Sequence, residues 1–273
     1  MCICFMGEPI MIAPTTLRTT LRERPCYSTF VMFQDPAVVG MLAAVGCDFL
    51  IIDHEHIPID ASMVGQLVMT AHAYGIACIV RVRDLSRGAI QQVLETGADG
   101  VMVPMIESAA QARQAVEWSK YPPVGTRGLH TLTQSFLLSQ HQGVASYPPP
   151  PSAQLDYPTR MNEQVTVVLQ IETAKGLAAR DEICATDGAD VIFIGTSDLS
   201  QSLGATMGDP VVQRAIDDII ASATAAHVGI GIIGPSADAL QPYATRGVNF
   251  LTVGADGALF MHGARQLFTR STP

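Results

Sequence analysis

Short runs of apolar, often β-branched residues alternate with longer amphipathic stretches along most of this chain. The short runs predict strands, and they cover residues 28–33, 48–53, 77–81, 100–104, 165–171, 190–195, 229–233 and 249–253. The amphipathic stretches between them predict helices over residues 36–45, 63–74, 87–96, 108–120, 175–186, 210–227, 238–246 and 257–268. The strands are apolar throughout rather than alternating, which is typical of a parallel sheet covered by helices on both faces.

Eight strand–helix units in succession predict a single-domain α/β fold of the (β/α)8 TIM-barrel class. Several units share a junction in which a glycine, suited to a left-handed helix cap, precedes the next strand; the junctions are Gly46-Cys47-Asp48, Gly97-Ala98-Asp99 and Gly188-Ala189-Asp190. We expect one domain over residues 1–273, with an N-terminal extension over 1–16 and a long, proline-rich loop over 121–164. The alternative is an open doubly wound sheet, but the glycine-rich turn usual after its first strand is absent.

The composition excludes several classes of protein. With 16 basic and 25 acidic residues, the net charge of −9 offers no basic surface for nucleic acid. Only 15% of the residues are charged, against about 25% in an average globular protein, so we expect some outer surface to be buried in a homo-oligomer. The six cysteines form no CxxC pair, and no apolar run approaches the roughly 18 residues of a membrane span. We therefore expect a cytoplasmic protein with free thiols and no membrane partner.

Charged residues follow four of the predicted strands, and in a barrel the active site lies at the carboxyl ends of the strands. They are the run Asp53-His54-Glu55-His56, Arg81, Glu172 and Asp198. Each has a purely structural alternative, namely a solvated loop for the run, an ion pair for Arg81, and helix caps for Glu172 and Asp198. Two carboxylates from neighbouring strands, with few histidines or cysteines nearby, suit a hard divalent cation better than zinc.

Read in order, several short segments form a recognisable set. They are 48–58 (DFLIIDHEHIP), 80–81 (VR), 103–105 (VPM), 121–128 (YPPVGTRG), 170–173 (QIET) and 193–200 (FIGTSDLS). With this set the chain resembles the HpcH/HpaI family of metal-dependent, class II pyruvate aldolases over residues 17–268. Each segment is weak alone, whereas their order along one chain is specific.

The resemblance implies a divalent metal, Mg2+ or Mn2+ with Co2+ as a further candidate, held by Glu172 and Asp198. It implies pyruvate or another 2-oxo acid and an aldehyde as substrates. Arg81 would stabilise the enolate oxygen, and His56 would be the acid and base, oriented by Asp53 and by Glu95 from a neighbouring subunit. The substrate-binding residues implied are Gln170, Gly195, Thr196, Ser197, Asp198 and Arg127.

The resemblance also implies a homo-oligomer, a hexamer built as a trimer of dimers, in which the C-terminal helix is exchanged between subunits. The proline-rich loop is expected to set the specificity for the aldehyde. Its composition differs from that of the surrounding strand–helix units, which suggests a function of its own.

The lysine count supports the metal-dependent chemistry independently. A Schiff-base aldolase needs a lysine inside the barrel, whereas the two lysines, Lys120 and Lys175, lie outside the predicted strands. We therefore predict a carbon–carbon lyase that cleaves or forms 4-hydroxy-2-oxo acids through a pyruvate enolate. Alternatives that use the same enolate are oxaloacetate decarboxylation, a macrophomate-synthase-like condensation and acyl-CoA cleavage of the citrate-lyase type. A non-catalytic barrel that serves as a scaffold is the alternative from a different class.

Overall fold

Eight parallel strands close into a barrel in chain order, which confirms the (β/α)8 prediction. The computed structural model describes residues 17–139 and 151–268. The strands are β1 (Cys26–Val31), β2 (Phe49–Asp53), β3 (Ala77–Arg81), β4 (Gly100–Val103), β5 (Thr166–Ile171), β6 (Val191–Ile194), β7 (Gly229–Gly234) and β8 (Phe250–Ala255). Their ends differ from the predicted ends by at most two residues.

Helices surround the barrel and connect its strands. They are α1 (Leu17–Glu23), α2 (Pro36–Ala44), α3 (Ala61–Ala73), α4 (Arg87–Glu95), α5 (Ala109–Ser119), α6 (Gln134–Leu138), α7 (Pro151–Gln164), α8 (Ala174–Ala178), α9 (Arg180–Cys184), α10 (Thr196–Ser202), α11 (Pro210–Ala225), α12 (Ala237–Ala244) and α13 (Asp256–Phe268). The helix predicted over 175–186 is divided into α8 and α9, and α1, α6, α7 and α10 lie outside the predicted set. Within the described ranges no helix is long and apolar enough to cross a bilayer.

Alternate strand residues fill the barrel interior. The rings of Phe49 and Phe250 lie 4.4 Å apart, and Phe250 meets Phe193 edge-on at 5.8 Å. Leu50 and Ile52, which alternate along β2 with the interior residues Phe49 and Ile51, pack instead in the layer between the strands and the helices. The interior is therefore a solid apolar core, and polar chemistry is confined to the two ends of the barrel.

Helix α1 closes the amino-terminal end of the barrel. Leu17 and Leu21 are buried in the same cluster as the interior aromatic residues. Arg18 Nε lies 2.6 Å from the Asp190 carboxylate, and Asn249 Nδ2 donates to the Leu21 carbonyl oxygen at 2.7 Å. Asp190 and Asn249 immediately precede β6 and β8. Helix α1 therefore covers the foot of the barrel and leaves the carboxyl end as its open mouth.

The described part of the segment between α5 and β5, where a long loop was expected over residues 121–164, contains two helices. These are α6 and α7, and residues 140–150 between them lie outside the described part of the chain. Helix α6 has only five residues, and Pro158 lies inside α7. Five residues are too few for a helical pattern to show, and a proline is typical of helix ends rather than helix interiors. The sequence therefore indicated neither helix.

The described part of this segment packs on the helices and at the foot of the barrel. Tyr121, Phe136 and Tyr157 form a buried cluster of their own. Lys120 Nζ donates to the carbonyl oxygen of Val165, which immediately precedes β5, at 2.6 Å. Within one chain, these residues lie away from the carboxyl ends of the strands. The segment was expected to set the specificity for the aldehyde at those ends.

The last helix, α13, is fixed at its start and exposed along its length. Asp256 accepts the backbone N–H groups of Met32 and Phe33 at 2.9 and 2.8 Å, which joins α13 to the end of β1. Farther along, Phe260 and Phe268 are exposed. The exchange of this helix between subunits stays a prediction, and the expected extension over 1–16 lies outside the described residues.

Candidate active site

The strands end in polar residues that face the barrel axis. Because side chains alternate along a strand, the interior positions of β2, β3 and β5 are followed two residues later by Asp53, Arg81 and Gln170. In the same register, Glu172 follows Gln170, and Gly195 follows the interior residues of β6. The sequence therefore brings these five predicted site residues together at the mouth, and all five are buried.

Arg81 forms a bidentate ion pair with Asp53. Its Nε and Nη2 donate to the two carboxylate oxygens at 3.1 and 2.8 Å. Burial opposes ionisation of Asp53, but hydrogen bonds and charge from Arg81 outweigh it and hold the pKa of Asp53 below its ordinary value. The guanidinium carbon lies 4.5 Å from the centre of the Phe30 ring, so Arg81 rests on the apolar core beneath the mouth.

Glu172 is a buried carboxylate with two fixed oxygens. Oε1 accepts the backbone N–H of Met105 at 2.8 Å, and Oε2 accepts Gln170 Nε2 at 2.5 Å. Burial raises its pKa to about 7, against the lowering effect of the Met105 N–H, and the charge of Asp198 raises it further. An ionised Glu172 is therefore stabilised by any cation that approaches it.

Helix α10 presents its first turn to this carboxylate. Its N-cap is Gly195, and it begins with buried Thr196, exposed Ser197 and half-buried Asp198. The first backbone N–H groups of a helix have no acceptor within the helix. The turn thus offers a carboxylate, Asp198, beside backbone donors at the edge of the mouth.

Glu55 lies between Arg81 and His56, and the sequence had given it no role. Its Oε2 is 3.3 Å from Arg81 Nε and 3.6 Å from His56 Nε2. Asp53, expected to orient the His56 ring, binds only the His56 backbone N–H, at 3.3 Å, and directs its carboxylate to Arg81. The Asp53 carboxylate therefore lies against Arg81, and Glu55 is the carboxylate beside the His56 ring.

The residues at the mouth fit a divalent cation. Four carboxylates, Asp53, Glu55, Glu172 and Asp198, share the mouth with the Arg81 guanidinium and leave an excess of negative charge. A Cβ atom on the glycine at position 195 would lie 2.5 Å from Glu172 Oε2, so only a glycine leaves space beside that oxygen. In residues 17–139 and 151–268, no group of three or more His, Cys, Asp or Glu side chains is arranged to hold a metal. The donors that this part of the chain offers to a cation are thus carboxylate oxygens, without a preformed cluster of three ligands.

Glu95 and Arg127 lie far from this group within one chain. Glu95 ends α4, which leads to the start of β4, and it accepts Gln91 Nε2 at 3.0 Å. The backbone N–H of Arg127 donates to the Lys120 carbonyl oxygen, and its guanidinium lies 4.5 Å from the centre of the Tyr121 ring. Both lie at the foot of the barrel, where the strands begin. The structure thus does not bring Arg127 or Glu95 to the mouth of their own chain, and the roles expected for them stay predictions.

Met105 belongs to one of the ordered segments, 103–105, but sequence reasoning assigned it no role of its own. Its backbone is left-handed, with φ of 56°, which is unusual for a residue other than glycine or asparagine. In this conformation its backbone N–H donates to Glu172. No sequence signal marks such a backbone at a methionine. Glu55, in contrast, lies within the charged run after β2 and could have been included from its position alone.

A closed (β/α)8 barrel with this charged group at its strand ends has the architecture of a TIM-barrel enzyme. The family model described as HpcH/HpaI aldolase/citrate lyase matches residues 27–263 of the chain. The chain therefore belongs to the HpcH/HpaI aldolase/citrate lyase family, as its ordered motifs had indicated.

Relatives of the chain are aldolases. A 2-dehydro-3,6-dideoxy-6-sulfogluconate aldolase of Pseudomonas putida is 32% identical over 249 residues, covering 90% of this chain and 92% of the relative. A hydroxypyruvate/pyruvate aldolase of Deinococcus radiodurans is 35% identical over 268 residues, covering 96% and 92%. The crystal structure of a family member from Burkholderia cenocepacia J2315 matches with a TM-score of 0.83 at 29% identity, covering 92% of this chain and 96% of the other. These similarities confirm the expectation of an enzyme of the aldolase type.

Proposed function

We propose that the protein is a divalent-metal-dependent aldolase that cleaves or forms 4-hydroxy-2-oxo acids through the enolate of pyruvate. One observation carries the proposal: the buried carboxylate Glu172 packs against Gly195 at the same mouth as the Arg81–Asp53 pair. A cation and a guanidinium at one mouth are what an enolate requires, because negative charge develops on the keto oxygen. The aldolase relatives support the same reaction class.

Glu172 and Asp198 would hold the cation. Carboxylate oxygens suit Mg2+ or Mn2+, and a site with two protein ligands leaves positions for water and for the oxygens of a 2-oxo acid. When bound, such a cation acts as a Lewis acid that polarises the keto group. Glu172 is buried, away from bulk solvent. Its charge therefore interacts with a cation more strongly than it would in water.

Arg81 would stabilise the enolate oxygen. Asp53 takes Nε and Nη2 of the guanidinium, and no hydrogen bond joins Nη1 to any residue in the described part of the chain. Nη1 and the second N–H of Nη2 are thus the donors left for substrate. The backbone N–H groups at the start of α10, over Thr196 and Ser197, would receive the carboxylate of the oxo acid.

His56 would move the proton of the 4-hydroxyl group. In cleavage, the imidazole takes the hydroxyl proton, the oxygen forms the carbonyl of the aldehyde, and the C3–C4 bond breaks. Its electron pair passes into the C2–C3 enolate, which takes up a proton from solvent at C3 and becomes pyruvate. A histidine suits this task because its ordinary pKa lies near neutral pH.

The proposal extends to the assembly and the substrates. The exposed apolar residues of α13 support a homo-oligomer in which this helix is covered by, or exchanged with, a neighbour. Glu95 and Arg127, at the foot of the barrel, would then serve a neighbouring subunit's mouth. The names of the relatives support acceptor aldehydes that carry polar or anionic groups.

The test is pyruvate release after chelation. Protein stripped with a chelator is given a panel of 4-hydroxy-2-oxo acids, and pyruvate is followed by coupled reduction with lactate dehydrogenase. We expect release only after Mg2+ or Mn2+ is added, loss of release in Glu172→Gln, and normal release in the exposed control Glu182→Gln. Oxaloacetate and malyl-CoA are offered in parallel. Consumption of one of these, with no cleavage of any hydroxy-oxo acid, would overturn the aldol assignment.

A further inference from the structure

Glu55 is the side chain that contacts the ring of His56. Its Oε2 lies 3.6 Å from His56 Nε2, and in the described part of the chain no other side chain forms an ion pair or hydrogen bond with that imidazole. The same oxygen is buried and has no hydrogen-bond partner. A buried acceptor that lacks a donor is costly, so a donor beside it is stabilised. The 3.6 Å separation is longer than a hydrogen bond, and such contacts commonly tighten when substrate binds.

Arg81 does not depend on Glu55 in the same way. Although its Nε lies 3.3 Å from Glu55 Oε2, that nitrogen already donates to Asp53, and Nη2 donates to the second Asp53 oxygen. Removal of Glu55 would therefore leave the guanidinium bound by two hydrogen bonds. His56, with a side chain 54% exposed, would keep only its backbone hydrogen bond to Asp53.

We propose that Glu55 is a positioning residue that holds the imidazole of His56 in the orientation needed for proton transfer at the 4-hydroxyl group. This inference rests on the proposed aldolase function. It separates two parts of the reaction: the enolate half depends on the cation and Arg81, whereas the hydroxyl-proton half depends on His56 and, through it, on Glu55. A residue that merely stabilised the fold would affect both halves alike.

The experiment compares these halves in the full-length protein with cation present. Exchange of the pyruvate methyl protons with deuterated water reports the enolate half, and cleavage of a 4-hydroxy-2-oxo acid reports both. In Glu55→Ala we expect cleavage to fall on the order of tenfold to a hundredfold while exchange stays within about threefold of the wild type. Glu55→Gln should recover part of the lost cleavage, because its amide oxygen can accept the imidazole N–H. Glu182→Ala, an exposed glutamate on α9, is the matched control.

A double variant gives the sharper result. If Glu55 acts through His56, Glu55→Ala combined with His56→Ala should cleave no more slowly than His56→Ala alone. Equal loss of exchange and cleavage in Glu55→Ala would overturn the inference and assign Glu55 to Arg81. Unchanged cleavage would overturn it as well. A wild-type protein that neither exchanges nor cleaves would instead refute the proposed function, and the role of Glu55 would fall with it.

Discussion

The guanidinium of Arg81 is held by the carboxylate of Asp53 through two hydrogen bonds of 3.1 and 2.8 Å, with the two side chains only 9% and 1% exposed. The chain also contains an exposed pair of the same residue types, Arg246 and Asp217, at 2.6 Å. The two pairs have similar contact lengths but different surroundings. A comparison of the two pairs therefore separates the effect of burial on stability from the effect of the contact itself.

Removal of Asp53 should destabilise the fold more than removal of Asp217. In Asp53→Ala the buried Arg81 loses both of its hydrogen bonds and keeps only one ion-pair partner among the described residues, the Glu55 carboxylate, 3.3 Å from Nε. We expect the free energy of unfolding to fall by about 3–5 kcal/mol. In Asp217→Ala, where both groups are solvated, the loss should be below about 1 kcal/mol. Urea denaturation followed by circular dichroism measures both. Losses of equal size would show that the Arg81–Asp53 pair is not buried as described.

Substitution of Arg81 should remove turnover and leave cation binding. We expect Arg81→Ala to lower kcat for cleavage by about 10²- to 10³-fold, because one donor to the developing oxyanion is lost. Arg81→Lys keeps a positive charge beside Asp53 and should fold normally, but it lacks the guanidinium fork and should stay well below wild-type activity. Isothermal titration with Mn2+ checks that both variants bind the cation. Normal turnover in either one would contradict the electrostatic role of Arg81.

The glycine at position 195 should tolerate no side chain. A Cβ there would lie within 2.5–2.8 Å of Glu172 and Gln170, although its φ of −80° is open to any residue. Gly195→Ala should therefore weaken cation binding and abolish cleavage. Gly208→Ala is the matched control, since nothing lies within 4 Å of its Cβ position. An active Gly195→Ala enzyme would show that the space beside Glu172 is not needed.

Cation affinity should depend on pH through Glu172. Burial raises the pKa of this group to about 7 in the absence of a cation, so its ionised fraction falls from about 0.9 at pH 8 to about 0.1 at pH 6. A proton and a cation compete for the same oxygens, and the Kd for Mn2+ should therefore rise about tenfold over that range. Titrations at the two pH values, with Glu172→Gln as reference, measure the effect. A constant Kd would contradict the prediction.

The same raised pKa has a consequence for the chelated protein. A carboxyl group whose pKa is higher in the folded than in the unfolded chain contributes stability that is present below the unfolded pKa and is lost as pH rises through the folded value. For Glu172 this window runs from about 4.5 to about 7. The share of stability that depends on Glu172 should thus decline across it, and Mg2+ should restore it at pH 8. Thermal melts of wild type and Glu172→Gln over this range test the difference.

Helix α1 should contribute to stability through the barrel foot. Leu21 is buried against the interior, and Leu21→Ala should cost about 2–5 kcal/mol of unfolding free energy. Leu155→Ala, on the exposed surface of α7, should change it by less than about 0.5 kcal/mol. Both values come from urea denaturation. Similar small losses would indicate that α1 is not part of the core.

The regular part of the fold could be predicted from the sequence because two signals coincide in it. Each strand is a short apolar run, and glycines at positions such as 46 and 97 have the positive φ expected of helix caps. Helices α1, α6 and α10 have seven, five and seven residues, which is too short for a periodic pattern to emerge. Their positions are set by tertiary contacts, such as Leu21 in the barrel interior.

The candidate site could be predicted in part for a related reason. Asp53, Arg81 and Glu172 follow apolar strands, and a closed parallel barrel necessarily brings such positions to one mouth. The partner of each side chain does not follow from sequence spacing. Asp53 is three residues before His56 yet binds Arg81 on the next strand, because strand alternation turns it towards the barrel axis. Glu55, on the loop beyond the strand, meets the ring instead.

The most direct measurement is the exchange of pyruvate methyl protons with deuterated water, followed by NMR in chelated protein before and after Mg2+ or Mn2+ is added. The structure predicts exchange only with the cation, and none in Glu172→Gln at any cation concentration. Exchange that persists after chelation or in Glu172→Gln would contradict a cation held by this carboxylate. Absence of exchange in the wild type with either cation would contradict enolate formation at this mouth.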